Sequence, residues 1–209
     1  MMTLGTVQLV FAQELYYAKT GFYVGLSLPY NNISGDFNGD TVLVGPSDII
    51  IVPKIEDDYG FGILLGVTSG QGAGELSYLR TTHDASFLGG KGEVEYNMVN
   101  IDGKYYFLAH ARVQPYLLLG LSFPWLIIKD GSASSSAVGD ATFTGIGFNL
   151  GTGIAYYLHP RVSINAGINY KPLWYTRAEG VVGEGKLEDA IDGSGFNFNV
   201  GMTYIFYTF

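Results

Sequence analysis

The chain has no cysteine, which excludes disulfides, thiolate metal sites and thiol nucleophiles. Charge is scarce. Asp, Glu, Lys and Arg make up 14% of the residues, well below the roughly 25% usual for a soluble domain. The net charge is −8 at pH 7. That argues against nucleic acid as a partner, because backbone binding needs a basic surface. No stretch reaches the roughly 18 uncharged apolar residues that a membrane-spanning helix requires. The longest apolar run, residues 115–128, is short and broken by Pro124. Histidine is rare too. His83, His110 and His159 stand apart, with no acidic neighbour beside the last two, so they read as solvated loop and turn residues.

What is abundant is aromatic and small. The 209 residues include 16 Tyr, 13 Phe and 30 Gly, a composition that suits strands, interface girdles and a crowded interior. The C-terminus carries the clearest pattern. Phe196, Phe198, Val200, Met202, Tyr204 and Phe206 alternate with Asn197, Asn199, Gly201 and Thr203. A period of two puts these sets on opposite faces of one strand. Similar stripes recur along the chain, each backed by Gly, Asn or Ser. The reading is an all-β, eight-stranded antiparallel up-and-down transmembrane barrel, lipid outside and polar groups inside.

The strands are predicted near residues 21–29, 58–68, 74–82, 93–107, 114–127, 145–157, 162–174 and the terminal stripe. In the fourth, Val94 and Tyr96 are out of phase with Val99, Ile101, Tyr105 and Phe107, and a bulge near Asn97 would restore the register. Connections alternate between short (69–73, 109–113, 158–161) and long (31–57, 83–92, 129–141, 175–194). The long ones are predicted as outer loops and the short ones as periplasmic turns, with both termini periplasmic. In the first long loop the apolar runs 41–44 and 49–52, split by Gly45 and Pro46, predict an extramembrane hairpin or a flap. Residues 1–12 read as a signal-peptide remnant or a short arm, although no basic residue precedes the apolar stretch. Residues 13–209 read as one domain.

The segments TGFYVGLSLPY (20–30), VNIDGKYYFL (99–108), VQPYLLLGLSF (113–123) and GFNLGTGIAYYLHPRVSINAGINY (147–170) resemble the small eight-stranded outer-membrane barrels of Gram-negative bacteria, the OmpA-like and OmpW-like group. The likeness spans about residues 21–209. It implies the outer membrane as location, with membrane lipids and lipopolysaccharide as surroundings. It also implies that Tyr204, Phe206 and Phe209 form a C-terminal signal read by the barrel-assembly machinery. The long stripe ends at Phe206, while Phe209 falls on the other face, a departure from the group's usual phase.

Inside the barrel, the alternation places Glu75, Asn100, Asp102, Lys104, Asn149, Asn165, Asn169, Lys171, Asn197 and Asn199 in a polar network. Eight strands leave an interior only wide enough for side chains. Glycines would widen it, but Tyr23, Leu64, Tyr116 and Leu118 would refill it, so a plugged lumen is favoured over a solute path. Trp125, Trp174 and Tyr175 are predicted as an aromatic girdle at the outer interface. Asp36, Asn38 and Asp40 begin like a calcium loop, but Thr41 and Ser47 stand where its Gly and Glu belong. No cofactor and no catalytic site is predicted. The reading is therefore a non-catalytic barrel with a structural, surface-interaction or limited transport role and an unidentified extracellular partner. Two rivals remain. One is a lipid A-modifying barrel enzyme, for which only His83 with Ser86 offers a pairing. The other is a soluble lipocalin-like binder, which would reverse the two faces of every strand.

Overall fold

The computed structural model describes residues 17, 20–37, 41–43, 49–51, 53–87, 90–134, 137–180 and 185–207. Among these there are strands and turns but no helix. The strands are β1 (Gly21–Ile33), β2 (Thr41–Leu43), β3 (Ile49–Ile51), β4 (Lys54–Ile55), β5 (Asp58–Ser69), β6 (Gly72–Phe87), β7 (Gly90–Tyr106), β8 (Val113–Ser134), β9 (Ala137–His159), β10 (Val162–Lys171), β11 (Leu173–Gly180), β12 (Gly185–Asp192) and β13 (Gly195–Tyr207). Each long strand pairs antiparallel with the next, β13 returns to β1, and β9–β10 pairing closes the ring. The wall is thus an eight-stranded barrel of β1, β5, β6, β7, β8, β9, β10 and β13.

Alternation sets the faces. Leu26, Leu28, Leu65, Leu119, Phe148, Ile154, Phe198 and Met202 all point out and are 47–67% exposed. On the opposite face Ser77, Asn100, Asp102, Asn149 and Asn197 point in and are buried. Such a continuous exposed apolar belt is unsupportable in water and suits hydrocarbon. It also disposes of the lipocalin-like alternative.

Short turns join β5–β6, β7–β8 and β9–β10 at one end, here termed the turn end, where β1 begins and β13 finishes. At the other, loop end, the strands continue well past the belt. β6 runs on to Phe87, β8 to Ser134 and β9 back to Ala137. Most of residues 83–92, 129–141 and 175–194, expected as loops, is therefore strand. Pro172 separates β10 from β11, yet the pairing continues: Tyr170 faces Leu150 and Leu173 faces Gly147. In the first long connection β2 and β3 pair as a hairpin, as the two apolar runs predict. Above the barrel the extended sheet is open between β12 and β4. The chain just after β1 crosses that seam, where the Asp36 N–H donates to Asp192 O (2.9 Å) and the Ile55 N–H to Phe37 O (3.3 Å). Gly35, at φ 76° with Asp192 O where a Cβ would sit, makes the crossing possible.

The expected bulge at Asn97 is absent. β7 pairs with β6 and with β8 without any shift. Val94, Tyr96 and Met98 point inward in phase with Asn100 and Asp102. What changes along β7 is the environment on each side. At the loop end the interior becomes apolar and the exterior charged, with Glu93 and Glu95 outside, so the hydrophobic phase inverts while the backbone register holds.

Candidate functional site: the lumen

Because inward positions alternate strictly, side chains from all eight wall strands meet in the lumen, where they form three layers. The middle layer is polar. Glu75 Oε2 accepts from Lys104 Nζ (2.7 Å) and Tyr23 OH (3.1 Å), and the Lys104 ammonium also sits 5.3 Å from the Tyr116 ring centre. Asn149 Nδ2 donates to Asp102 Oδ1 (2.9 Å). Ser122 Oγ donates to Asn100 Oδ1 (2.7 Å), and Asn100 Nδ2 to Ser77 Oγ (3.0 Å). A relay then crosses the barrel. Asn169 and Asn199 each donate to Asn197 Oδ1 (3.4 Å), Asn197 Nδ2 to Asn31 Oδ1 (2.6 Å), and Asn31 Nδ2 to Thr81 Oγ1 (2.5 Å). Asn165 donates to Thr203 Oγ1 (3.3 Å). All ten polar residues singled out from the sequence line one cavity of about 50 Å³, large enough for a few waters. Lys171 is the exception to good pairing. It is 3% exposed, its hydrogen-bond partner is Met98 Sδ at 3.8 Å, and no carboxylate among the described residues lies within ion-pair distance. Asn149 Oδ1 and Asn169 Oδ1 are likewise buried without a partner among the described residues.

Toward the turn end an aromatic layer closes the cavity: Tyr23, Tyr106, Tyr116 and Tyr157, with Leu118 and Ile205. Glycine makes room for these rings. A Cβ at Gly66 would collide with the Tyr23 ring, and one at Gly153 with the Tyr116 hydroxyl. Tyr17 packs its ring 5.6 Å from that of Tyr157. Toward the loop end an apolar plug fills the space with Phe37, Leu79, Val94, Tyr96, Met98, Leu126, Phe143, Leu173, Tyr175 and Ile191, among others. Alternation read as polar-inside along the whole wall misses this layer, because the rule holds only where lipid lies outside.

Several expected roles move. Tyr175 is not part of the girdle. It is fully buried in the plug with its ring 5.4 Å from Phe37, because alternation along β11 turns it inward while Trp174 beside it faces out. Trp125 does face out, stacked on Tyr78 at 5.9 Å, and Trp174 meets Phe148 edge-on at 6.2 Å. The aromatic row also includes Tyr30, just past the predicted first strand, and Tyr59, Tyr170 and Phe198, which the sequence pattern marks only as strand residues. Tyr59 is 72% exposed. Tyr204 and Phe206 face out with rings 4.9 Å apart; Phe209 lies outside the described residues, as do residues 1–12, Asn38 and Asp40. His83 is not in a solvated loop but buried within β6. Ser86, three residues on, faces the other side of that strand, so the two form no catalytic pair. Asp36, first residue of the calcium-like run, is engaged by the Asp192 N–H at 2.8 Å. Among the described residues no group of three His, Asp or Glu is arranged to hold a metal.

The closed antiparallel wall, the outward apolar belt and the hydrogen-bonded polar interior define a transmembrane β-barrel. Residues 2–206 match the family described as outer membrane protein beta-barrel domain, and the chain belongs to that family. A sequence comparison with curated proteins finds no match. Among solved structures the chain is similar in fold to the outer membrane protein OprG from Pseudomonas aeruginosa (15% identity, TM-score 0.66, covering 92% of this chain and 100% of that one). It is also similar to Neisserial surface protein A (18%, 0.58, 89% and 97%), and to Ail, the attachment invasion locus protein of Yersinia pestis, solved with a heparin analogue (14%, 0.51, 90% and 99%).

Proposed function

We propose that this protein is a non-catalytic and non-conducting barrel in the outer membrane of a Gram-negative bacterium, with the turn end and both termini in the periplasm. Its role is envelope structure and surface interaction through the extended sheet at the loop end. The barrel-assembly machinery inserts it, and lipid and lipopolysaccharide surround it. The observation that carries this reading is the layered lumen. A polar network lies between an aromatic layer and an apolar plug, and the cavity between them, about 50 Å³, is far smaller than a solute path.

Charge supports the surface role and narrows its partner. Among the described residues, thirteen Asp and Glu but only six Lys and Arg fall in the segments 33–58, 80–97, 125–144 and 174–195 at the loop end. An end with a net charge near −7, counted from those residues, repels polyanions and attracts cationic partners. Sulfated glycans of the kind seen on Ail are thus disfavoured here. Proteoliposomes test the closed lumen. They should hold small sugars under osmotic shock as well as protein-free vesicles do, and rapid swelling would refute it.

A further inference from the structure

His83 is a buried ionisable group that the proposed role leaves unused. It lies above the bilayer core, since the outward neighbours at its level are Asp84, Glu93 and Lys129. Its side chain is fully buried in the loop-end plug, with its ring 6.0 Å from Tyr96 in an edge-on contact. Nδ1 is 2.7 Å from the Glu56 carbonyl, so in the neutral ring Nδ1 carries the proton and donates to it. Nε2 is then an acceptor, buried and without a partner among the described residues. Glu56 directly follows β4, which forms one edge of the open seam of the extended sheet. The Glu56 N–H donates to Asp84 O (2.9 Å) and the neighbouring Ile55 N–H to Phe37 O (3.3 Å). His83 therefore ties this edge of the seam to the plug through a ring that fits only when neutral.

We propose that His83 is a pH-sensitive latch: neutral, it holds the 54–57 edge and, through it, Phe37 across the seam, and on acidification its protonation releases them and exposes the apolar plug from outside. Protonation leaves the bond to Glu56 O intact. Its cost falls on Nε2, which would place an N–H of a charged ring in apolar surroundings with nothing to accept it. The charged form is relieved only when the ring swings toward water, and that motion pulls on Glu56. The ionisable groups facing the ring are Asp58 and Asp57 near the start of β5, and Tyr96 from β7. Burial lowers the pKa of His83, and the hydrogen bond to Glu56 and the two carboxylates offset this only in part. The open state thus binds the proton more readily than the closed one. Closure is complete above the ordinary histidine value of about 6.5 and weakens as pH falls below it. This regulation goes beyond the structural role proposed above and does not depend on whether the lumen conducts.

Hydrogen–deuterium exchange on the full chain in detergent micelles tests it, at pH 7.5 and pH 5.0, with rates corrected for the intrinsic pH dependence. Protection of the Ile55 and Glu56 amides should fall at pH 5.0, by up to about thirtyfold, the limit set by a pH about 1.5 units below the ordinary histidine value. Amides in mid-barrel, such as Leu119, should not change. His83→Phe should abolish the pH effect. Equal protection at both pH values, or an equal loss in His83→Phe, overturns the proposal. Should His83→Phe not fold, NMR titration of the imidazole in a His110→Asn/His159→Asn background decides the same question. A midpoint clearly below 6.5 supports the latch, and one at or above it refutes it.

Discussion

Lys104 Nζ lies 2.7 Å from Glu75 Oε2 with the two side chains only 9% and 6% exposed, so the mid-lumen holds a desolvated ion pair. The pair forms across β6 and β7, whose pairing sets Glu75 opposite Asp102 and Ala73 opposite Lys104. Tyr23 completes the carboxylate and Tyr116 covers the ammonium. Such a pair is weak evidence for stability but is costly to break on one side. Glu75→Gln should therefore lower stability by about 3–5 kcal/mol, measured by urea unfolding in micelles. Adding Lys104→Met should recover more than half of the loss. A double variant no more stable than the single would show that the pair does not act as a unit.

Phe37 is the residue by which the chain after β1 enters the plug, fully buried against Tyr175. Phe37→Ala should cost about 3–5 kcal/mol as a core truncation. It should also make the seam amides of Ile55 and Glu56 exchange faster at neutral pH, without altering those of β10 or β13. Unchanged exchange would mean that Phe37 does not hold the seam.

The glycines that admit the inner aromatic layer should resist a single methyl. Gly66→Ala sets a Cβ against the Tyr23 ring, which is itself fixed by Glu75. A loss of about 1–3 kcal/mol is expected from overpacking. Gly74→Ala, whose Cβ would meet nothing closer than Val67 at 3.8 Å, is the control and should be near neutral. Heat-modified electrophoretic mobility reads both variants.

The belt predicts unequal responses at two outward positions. Leu119→Arg places a cation against hydrocarbon near mid-bilayer and should cost about 2–4 kcal/mol in urea unfolding. Thr82→Arg, beyond the aromatic row, should cost less than about 1 kcal/mol. Equal costs would place the bilayer elsewhere on the barrel.

How legible all this is in the sequence depends on which environment each stretch meets. Where lipid lies outside and polar groups inside, alternation alone reads the wall correctly, down to Phe148 outward and Asn149 inward. The same rule finds the ten polar residues that share one cavity, and the refilling role of Tyr23 and Tyr116. Beyond the aromatic row the two environments exchange. Val94 and Tyr96 then resemble outward residues one position out of phase, which is why periodicity points to a bulge in β7, while Tyr175 reads as a girdle residue only from its place near a strand end. The Gly- and Ser-rich strands after Lys129 read as loops for a related reason: small residues pair well in an extended sheet but carry no hydrophobic period. The burial of His83 has no local signal, since it depends on Glu56 and Tyr96 arriving from elsewhere in the chain.

Single-channel recording across planar bilayers tests the sealed lumen most directly. At neutral pH the purified barrel should insert, as judged by protease protection of the reconstituted protein, and pass no discrete unitary current in molar salt. A reproducible unit conductance under those conditions, unaltered by Phe37→Ala or Gly66→Ala, would show an ion path through the three layers and contradict the closed barrel.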